Sequence, residues 1–347
     1  SEFYPGWLDH WKEKHQRTGA EPILKTMTEM YEMDANWNFY VFIGGTNWGC
    51  MSGANGGGKS FQPQPTSYDY DAPLSEAGDR TAKYYAIRDK SAEWKTLPQY
   101  EVADSEKKSF GEVAFTEMAS LWDVLDVLDT QPVAGEHPVT MEKLGLDYGF
   151  VLYQTKLAAG GELRVTDVHD RVYVYVNRKY FGLIERQDPT RAVAIEAAPG
   201  DVLNLLVENM GRLNYGGSMT DPKGLLGDVR VGEAVLGAWT MFRLGMKDLS
   251  GLQWKPAQAE EGPAFYRAVK EIRGVADTFV NPKEWNKGHV YVNGFNLGRY
   301  WTVGPQLTLY CPAPLLKEGE NEIVAFEILG TKKLTMTLDD VHQIDII

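Results

Sequence analysis

The chain has 347 residues, of which 43% are hydrophobic, so it can form roughly two to three domains that each build a core. Its formal net charge of -13 repels phosphate backbones, and we therefore expect no nucleic-acid partner. The sequence contains no apolar run of about 18 residues, so no membrane span is predicted. Its two cysteines, Cys50 and Cys311, match neither a disulfide framework nor a zinc motif, and neither a metal nor another cofactor is predicted.

The first residues combine a carboxylate with aromatic side chains. Glu2 is followed by Phe3, Tyr4 and Trp7. In sugar sites, aromatic rings stack on the apolar faces of a pyranose while a carboxylate addresses the anomeric carbon. The alternative is a strand that begins the fold, with Glu2 exposed at a frayed terminus. This stretch alone leaves both interpretations open.

Residues 1–92 alternate between strand and helix patterns. Apolar residues recur at helical spacing within 21–34, and a second helix is predicted for about 78–92. Between them, the apolar run from Asn38 to Ile43 predicts a buried parallel strand. Two strand–helix units cannot close a parallel sheet. We therefore interpret this segment as the final units of a TIM (β/α)8 barrel, in which catalytic groups lie at the C-terminal ends of strands.

A phosphate-binding motif has to be weighed in the loop that follows this strand. Residues 53–60 formally satisfy the pattern Gly-x4-Gly-Lys-Ser. That mechanism needs a helix that opens at Lys59, but Pro63 and Pro65 follow closely and forbid one. We therefore interpret these glycines as part of a long loop of the kind that carries functional residues.

The remainder of the chain is predicted to be all β. Residues 93–112 are polar and are interpreted as a connector. After them, an internal repeat indicates two related β-sandwich domains of jelly-roll type, 113–235 and 236–347. The repeat pairs Gly149–Tyr153 with Gly262–Tyr266, Val174–Asn177 with Val290–Asn293, and Gly200 and Glu208 with Gly319 and Glu327. Asn177 and Asn293 are interpreted as hairpin residues that tolerate a positive φ.

Five stretches of the sequence carry a family resemblance. The first, Ser1–Trp11, reads Ser-Glu-Phe-Tyr-Pro-Gly-Trp-Leu-Asp-His-Trp. The other four are Asn38–Asn47, Pro65–Gly78, Leu205–Arg212 and Val292–Trp301. In this order they resemble glycoside hydrolase family 35, the lysosomal acid β-galactosidases of animals and their relatives, and the first resembles the nucleophile strand. The family architecture, a TIM barrel followed by two β-domains, agrees with the organisation predicted above.

The resemblance implies a retaining exo-β-galactosidase that removes terminal β-linked galactose. It assigns Glu2 as the nucleophile and Tyr4, Tyr40, Tyr70 and Tyr68 as substrate-binding residues, although packing explains Tyr68 equally well. A retaining mechanism needs a second carboxyl group about 5 Å from the first. Because no stretch here matches the acid/base motif of the family, we expect that glutamate in an N-terminal portion of the same barrel. This chain would then need that portion as its partner and would be inactive alone.

The resemblance also implies a lysosomal or secreted protein and a galactoside substrate, and it leaves a homo-oligomer open. A second hypothesis is a catalytically inactive component that binds carbohydrate or serves assembly, since jelly-roll domains often bind sugars. The presence of Glu2 and the tyrosines argues against this second hypothesis, because a degenerate site is expected to lose such residues.

Overall fold

The structure is a computed structural model that describes residues 2–57, 60–99, 102–216 and 219–344, and for Glu2 it describes the main chain alone. Sheets dominate these ranges. The α-helices within them are α1 (Ala20–Glu32), α2 (Ala82–Ala92) and the single turn α3 (Leu125–Leu128). Across these described ranges, no helix has the length and apolar character that a membrane crossing requires. Cys50 and Cys311 are both free thiols.

The N-terminal segment packs its two longer helices against short strands. The apolar side of α1 buries Ile23 and Met27 next to Phe3 and to Ile87 of α2. The helix predicted for 21–34 is therefore present, and the second begins later than predicted because Thr81 caps its N-terminus. The strands of this segment are β1 (Glu2–Phe3), β2 (Asn38–Phe39), β3 (Gly45–Thr46), β4 (Gly53–Gly57), β5 (Ser60–Pro63) and β6 (Ser67–Tyr68).

The predicted buried strand from Asn38 to Ile43 is shorter and more exposed than expected. Only Asn38 and Phe39 form a strand, β2, which pairs in parallel with β1. Ile43 adds an isolated parallel bridge to Leu74, and both Tyr40 and Ile43 are exposed. The aromatic rings of Phe39 and Phe42 pack towards the helices, and within the described chain nothing pairs with the other edge of β2. An apolar run is buried on both faces only where both faces are covered. The complete barrel therefore stays a prediction.

Beyond α2 the chain is built almost entirely from strands. β7 (Gly111–Ala114) and β8 (Glu117–Ser120) come before α3, with a 3-10 turn at Leu121–Asp123 between. The next strands are β9 (Val133–Gly135), β10 (Phe150–Lys156), β11 (Gly161–Val165), β12 (Val168–His169), β13 (Arg171–Val176), β14 (Lys179–Glu185), β15 (Ala192–Ile195), β16 (Val202–Glu208), β17 (Arg212–Leu213), β18 (Gly224–Leu225), β19 (Val229–Val231), β20 (Ala234–Val235) and β21 (Trp239–Leu244). The last are β22 (Lys255–Pro256), β23 (Ala264–Ile272), β24 (Thr278–Asn281), β25 (Lys287–Val292), β26 (Phe295–Trp301), β27 (Leu309–Cys311), β28 (Gly319–Glu327) and β29 (Thr335–Asp339), with a 3-10 turn at Ala313–Leu315.

These strands form two sandwiches. In the first, a six-stranded sheet in the order β14-β13-β16-β10-β21-β9 packs on a four-stranded sheet in the order β15-β11-β19-β20. In the second, the order β26-β25-β28-β23-β8-β22 packs on β27-β24-β29-β7. A third core lies between the two six-stranded sheets and includes Phe150, Tyr175, Phe265 and Phe326. Strands such as β13 are therefore buried on both faces, which explains their continuous apolar sequence.

The two sandwiches share one strand order, in agreement with the internal repeat, but the chain reaches that order by different routes. The first sandwich takes its fifth strand, β21, from its own C-terminal end, whereas the second takes β8 from before the first sandwich begins. The first sandwich is thus inserted into the second. The predicted boundaries, 113–235 and 236–347, need correction, because β7 and β8 pair within the second sandwich and β21 pairs within the first. The pairing of the strands decides which sandwich each strand belongs to, and the order of the strands in the sequence does not reveal that pairing.

Asn177 and Asn293 occupy equivalent hairpin turns, β13–β14 and β25–β26. Their φ angles are 47° and 49°, in the left-handed region that asparagine tolerates. The side-chain oxygen of each also accepts a hydrogen bond from the main chain of a neighbouring strand, at Val202 and Glu322. Both hairpins shift register at the same place, two residues before the turn. The hairpin interpretation of both asparagines is confirmed.

A buried carboxylate joins the two sandwiches. Glu208, at the end of β16, has no exposed surface. Its Oε2 lies 2.6 Å from Lys287 Nζ and its Oε1 lies 2.7 Å from Arg299 Nε, and both cations belong to the second sandwich. Tyr173 donates its hydroxyl to the same carboxylate at 2.9 Å. Burial alone would raise the pKa of Glu208, but the charges of Lys287 and Arg299 lower it to about 2.

We expect Glu208→Gln to lower the free energy of unfolding by about 3–5 kcal/mol, because Lys287 and Arg299 then remain buried without a counter-charge. Chemical or thermal unfolding of the variant measures this change. Glu162→Gln is the matched control, since Glu162 forms an exposed ion pair with Arg164 and its loss is expected to cost about 1 kcal/mol or less.

The difference in the free energy of unfolding between the wild type and Glu208→Gln also depends on pH. Because the folded pKa of Glu208 is depressed to about 2, its contribution is complete above the unfolded pKa of 4.5 and is lost as the pH falls towards 2. The wild-type and Glu208→Gln proteins should differ by the same amount at pH 5 and pH 7. A difference that vanishes already at pH 5 contradicts the ionised state of Glu208.

Candidate functional site

The ends of β1 and β2 place two predicted site residues next to each other. The strands are parallel, with Glu2 opposite Asn38, and Tyr40 N donates to Phe3 O at 2.9 Å. Tyr4 and Tyr40 therefore follow the carboxyl ends of neighbouring strands, and their ring centroids lie 6.1 Å apart. The side chain of Glu2, the predicted nucleophile, lies outside the described residues, so only the position of its strand is given.

The loop after β6 brings the other two predicted tyrosines to the same place. β6 pairs with β3, and the chain then turns so that Tyr70 lies against Tyr68, Tyr40 and Trp7. The ring centroids of Tyr70 lie 5.3 Å from Tyr68, 6.2 Å from Tyr40 and 6.2 Å from Trp7. Trp7 also contacts Tyr4, at 5.3 Å. All four predicted tyrosines thus belong to one aromatic cluster, which we call the tyrosine cluster and define as Tyr4, Trp7, Tyr40, Tyr68 and Tyr70.

The tyrosine cluster has a buried base and an open rim. Tyr70 is 2% exposed, whereas Tyr4 and Tyr40 are each 41% exposed. Exposed aromatic faces beside buried ones form a surface on which a flat or ring-shaped ligand can stack, and phenol hydroxyls can exchange hydrogen bonds with ligand hydroxyls. The arrangement suits a sugar ring.

Tyr70 is held in an unusual backbone conformation. Tyr70 and Asp71 have φ angles of 67° and 48°, which non-glycine residues rarely adopt. The Asp69 carboxylate supports this turn, accepting from Asp71 N at 3.2 Å and from Glu76 N at 3.0 Å. Thr18 N also donates to the Asp71 carboxylate at 2.6 Å. Strained backbone that the surroundings hold in place is characteristic of functional sites. Asp69 and Asp71 therefore support the loop that carries Tyr70.

A cavity of about 420 Å³ opens beside the tyrosine cluster and is shared with the first sandwich. Tyr40 and Tyr68 form part of its wall, and Tyr148, Arg212 and Asn214 form another part. Sequence reasoning did not identify these three residues of the first sandwich. Arg212 ends one of the stretches that carry the family resemblance, which is a usable signal, but Tyr148 and Asn214 lie in loops without a local pattern.

The glycine-rich stretch that formally fits a phosphate-binding pattern is not followed by a helix. Its described residues form a hairpin, β4–β5, whose strand β4 also pairs in parallel with β17 of the first sandwich. Gly58 and Lys59 lie outside the described residues. The β5 strand begins at Ser60, where the phosphate-binding mechanism needs a helix.

A group of buried acidic and histidine side chains lies behind the loop that carries Tyr70. His15 Nδ1 lies 2.7 Å from Asp9 Oδ2, and its Nε2 lies 3.8 Å from Asp69 Oδ1. Burial alone would lower the pKa of His15, but the hydrogen bond and charge of Asp9 raise it. Although these groups are close, no set of three or more His, Cys, Asp or Glu side chains in the described ranges is arranged to hold a metal ion.

Glu76 belongs to the same region. Burial raises its pKa to about 7, against hydrogen bonding that includes Thr46 Oγ1 at 2.5 Å. Its other oxygen lies 3.8 Å from His342 Nε2. Burial lowers the pKa of His342 to about 4, so this histidine is neutral at pH 5 and above. Glu76 is therefore protonated in acid and carries a poorly compensated charge above pH 7.

Comparisons with known proteins agree with this arrangement of segments. The family model described as "Glycosyl hydrolases family 35" matches residues 1–94. Models described as the "first all-beta domain" and the "galactose-binding domain" of beta-galactosidase match residues 138–245 and 263–321. The 138–245 match ends close to β21, as the sheet pairing requires.

Several named relatives match along most of the chain. It is 40% identical over 359 residues to a beta-galactosidase of Bos taurus, covering 94% of this chain and 54% of that protein. The human beta-galactosidase is 37% identical, with coverages of 94% and 52%. A beta-galactosidase-1-like protein of Mus musculus is 40% identical, with coverages of 94% and 53%. The chain thus spans about half the length of the curated relatives it matches.

We expect Glu76→Gln to become more stable relative to the wild type as the pH rises. An acid whose folded pKa is raised stabilises the fold below its unfolded pKa of 4.5 and loses that contribution as the pH climbs to about 7. Glutamine keeps the contact with Thr46 but cannot ionise. The free energy of unfolding of the variant minus that of the wild type should increase by about 3 kcal/mol between pH 4.5 and pH 7.

Unfolding curves recorded at pH 4.5, 5.5 and 7 measure this difference. Glu29→Gln, on the exposed side of α1, serves as a control that should run parallel to the wild type. A constant difference between Glu76→Gln and wild type across this range contradicts the buried, protonated state of Glu76.

Proposed function

The chain belongs to family 35 of the glycosyl hydrolases, and on that premise we propose that it is the C-terminal portion of a retaining exo-β-galactosidase. The substrate is a terminal β-linked galactose of a glycoconjugate or oligosaccharide. Because the chain spans about half the length of its relatives, the activity belongs to the whole protein and not to this portion alone.

One observation carries the proposal: the tyrosine cluster forms where the strand of Glu2 ends. Tyr4, Tyr40, Tyr68 and Tyr70 come from three separate stretches of the sequence, and all approach the carboxyl ends of the parallel strands β1 and β2. In α/β barrels this end of the strands carries the catalytic groups. The position supports a sugar site at which the Glu2 strand supplies the nucleophile.

The proposed chemistry proceeds through two displacements at the anomeric carbon. The Glu2 carboxylate forms a bond to that carbon while the bond to the leaving oxygen breaks and a second carboxyl group protonates that oxygen. The second group then removes a proton from water, which attacks the same carbon and releases galactose with retained configuration. We propose that Tyr4 and Tyr40, at the rim, donate hydrogen bonds to the nucleophile, and that Tyr70 and Tyr68 contact the sugar hydroxyls.

The acid/base glutamate and the remaining barrel strands are proposed to come from an N-terminal portion of the same barrel. Two features support this partner. Within the described chain, the outer edge of β2 has no pairing strand, and Tyr40 and Ile43 beside it are exposed. An unpaired parallel edge with exposed apolar side chains calls for a further strand.

We propose a lysosomal or secreted location. Two buried carboxyl groups, Glu76 and Glu327, favour the lysosome, because it is acidic. Burial raises the pKa of Glu76 and of Glu327 to about 7. Each group is neutral below that pH, so burial is less costly to the fold in acid than at neutral pH.

A second candidate function is carbohydrate binding without catalysis. The match of residues 263–321 to a model described as a galactose-binding domain favours it. Under this hypothesis the described sandwiches would bind galactosides even when Glu2 is replaced, and no variant of the tyrosine cluster would alter turnover, because there is none.

In the full-length protein, Glu2→Gln is expected to reduce turnover of an aryl β-galactoside by at least about a thousandfold, because glutamine cannot attack the anomeric carbon. Release of the phenol measures turnover, and the melting temperature checks that the variant is folded. Glu29→Gln, an exposed change on α1, should retain wild-type turnover.

Near-normal turnover by a folded Glu2→Gln protein rules out the assigned nucleophile. An experimental structure of the full-length protein tests the partner directly, since a glutamate from the N-terminal portion should lie about 5 Å from Glu2. Galactose binding by a wild-type protein that lacks turnover supports the second candidate.

A further inference from the structure

Lys83, on the helix α2, contacts two loops of the candidate site at once. The side chain is 6% exposed, and its Nζ donates to Pro5 O at 2.8 Å, to Asp71 O at 2.5 Å and to Asp71 Oδ2 at 2.6 Å. Pro5 follows Tyr4 on the segment that starts with the Glu2 strand, and Asp71 follows Tyr70. One ammonium group thus uses its three donors to join these segments.

We propose that Lys83 is a positioning residue, which sets the distance between the Glu2 strand and Tyr70. This inference rests on the proposed function and adds a residue that touches neither the sugar nor the reacting atoms. The distance matters because the Glu2 strand carries the proposed nucleophile, while Tyr70 contacts the sugar that the nucleophile must attack.

The need for a cation follows from the oxygens that converge at this point. Two main-chain carbonyl oxygens and one carboxylate oxygen lie within hydrogen-bond reach of the same nitrogen. Without a donor between them, oxygens carrying partial or full negative charge repel one another in a poorly solvated place. Removal of the ammonium group should therefore push the Pro5 and Asp71 segments apart, even though Thr18 N still donates to Asp71.

The two loops are also in close van der Waals contact, so they have little freedom to adjust separately. A Cβ atom built on Gly6 would lie 1.8 Å from Tyr70 O and 3.0 Å from Asp71 O. Tyr70 itself is held at a φ of 67°, which costs free energy unless surrounding contacts maintain it. Lys83, which belongs to the helix α2, adds its hydrogen bonds to these contacts.

The helix α2, which carries Lys83, is held firmly at its N-terminus and in the core. Thr81 caps α2, donates its hydroxyl to Pro73 O at 2.8 Å and accepts from Tyr84 N. Ile87, one turn after Lys83, is buried in the core that also contains Phe3 of β1. The helix that carries Lys83 is therefore anchored both to the Tyr70 loop and to the Glu2 strand.

We expect Lys83→Met in the full-length protein to lower kcat about 10- to 100-fold while KM changes less than about threefold. Methionine fills a similar volume but removes the donors. A displacement of reacting groups by about 1 Å costs rate at the transition state far more than it costs ground-state binding. Lys90→Met is the matched control on the same helix, since Lys90 pairs with Glu93 and touches neither loop.

Covalent labelling supplies a second readout that isolates nucleophilic attack. With 2-deoxy-2-fluoro-β-galactosyl fluoride, the Glu2 carboxylate oxygen bonds to the anomeric carbon and fluoride leaves, which intact mass detects. The labelling rate of Lys83→Met should fall about 10- to 100-fold, whereas that of Lys90→Met should equal the wild-type rate. Melting temperatures establish that each variant is folded at the assay temperature.

The outcomes separate this inference from the function on which it rests. If the wild-type protein neither hydrolyses the aryl β-galactoside nor is labelled by the fluorosugar, the proposed function is wrong. An active wild type with a folded Lys83→Met that keeps kcat within twofold, or that changes only KM, overturns the positioning role.

Should Lys83→Met fail to fold, Gly6→Ala decides. It leaves Lys83 in place and adds only a methyl group between the Gly6 and Tyr70 segments, so kcat should fall with little change in KM. Gly19→Ala, where a Cβ meets no atom within 4 Å, should behave as wild type. Wild-type kcat for a folded Gly6→Ala overturns the proposal.

Discussion

The buried contact between Glu208 and Arg299 is the constraint on which the candidate site depends. Glu208 Oε1 lies 2.7 Å from Arg299 Nε, and the main chain of Arg299 in turn exchanges two hydrogen bonds with the Thr66 hydroxyl, at 2.8 and 2.9 Å. Thr66 directly precedes the strand that ends at Tyr68. A charge in the first sandwich thereby fixes a strand of the second sandwich. That strand holds the segment that carries Tyr68 and Tyr70, two of the five members of the tyrosine cluster. The sandwiches are part of the frame of the site, which explains why Arg212 can reach its wall.

The internal repeat places two glutamates, Glu208 and Glu327, at corresponding positions, but their pKa values are shifted in opposite directions. Glu208 is ionised beside Lys287 and Arg299, whereas burial raises the pKa of Glu327 to about 7, against hydrogen bonds from neighbouring main-chain groups. Glu208 forms ion pairs with two cations of the other sandwich. Glu327 has its contacts within its own sandwich, where the Tyr300 hydroxyl donates to it at 3.0 Å. Environment, and not residue type, decides which of two repeated carboxyl groups remains charged.

Local patterns predicted the helices, the hairpin asparagines and the grouping of the tyrosines, because each depends on spacing within a few residues or on a matched family stretch. They failed where distant segments decide the outcome. The exposed Tyr40 contradicts a fully buried strand because an apolar run does not say which neighbours are present. The roles of Arg212 and Lys83 arise only from folding. Arg212 belongs to a sandwich that contacts the site. Lys83 lies on a helix, and the three acceptors of its ammonium group are 12 or more residues away in the sequence.

The insertion of one sandwich into the other imposes an order on biosynthesis. β8 pairs with β23, yet the whole first sandwich is translated between them, so their contact has a very large sequence separation. On the ribosome the first sandwich can complete its sheets as soon as β21 emerges, while β7 and β8 wait with unpaired edges until the last strands arrive. During that interval the unpaired edges of β7 and β8 are open to wrong pairing.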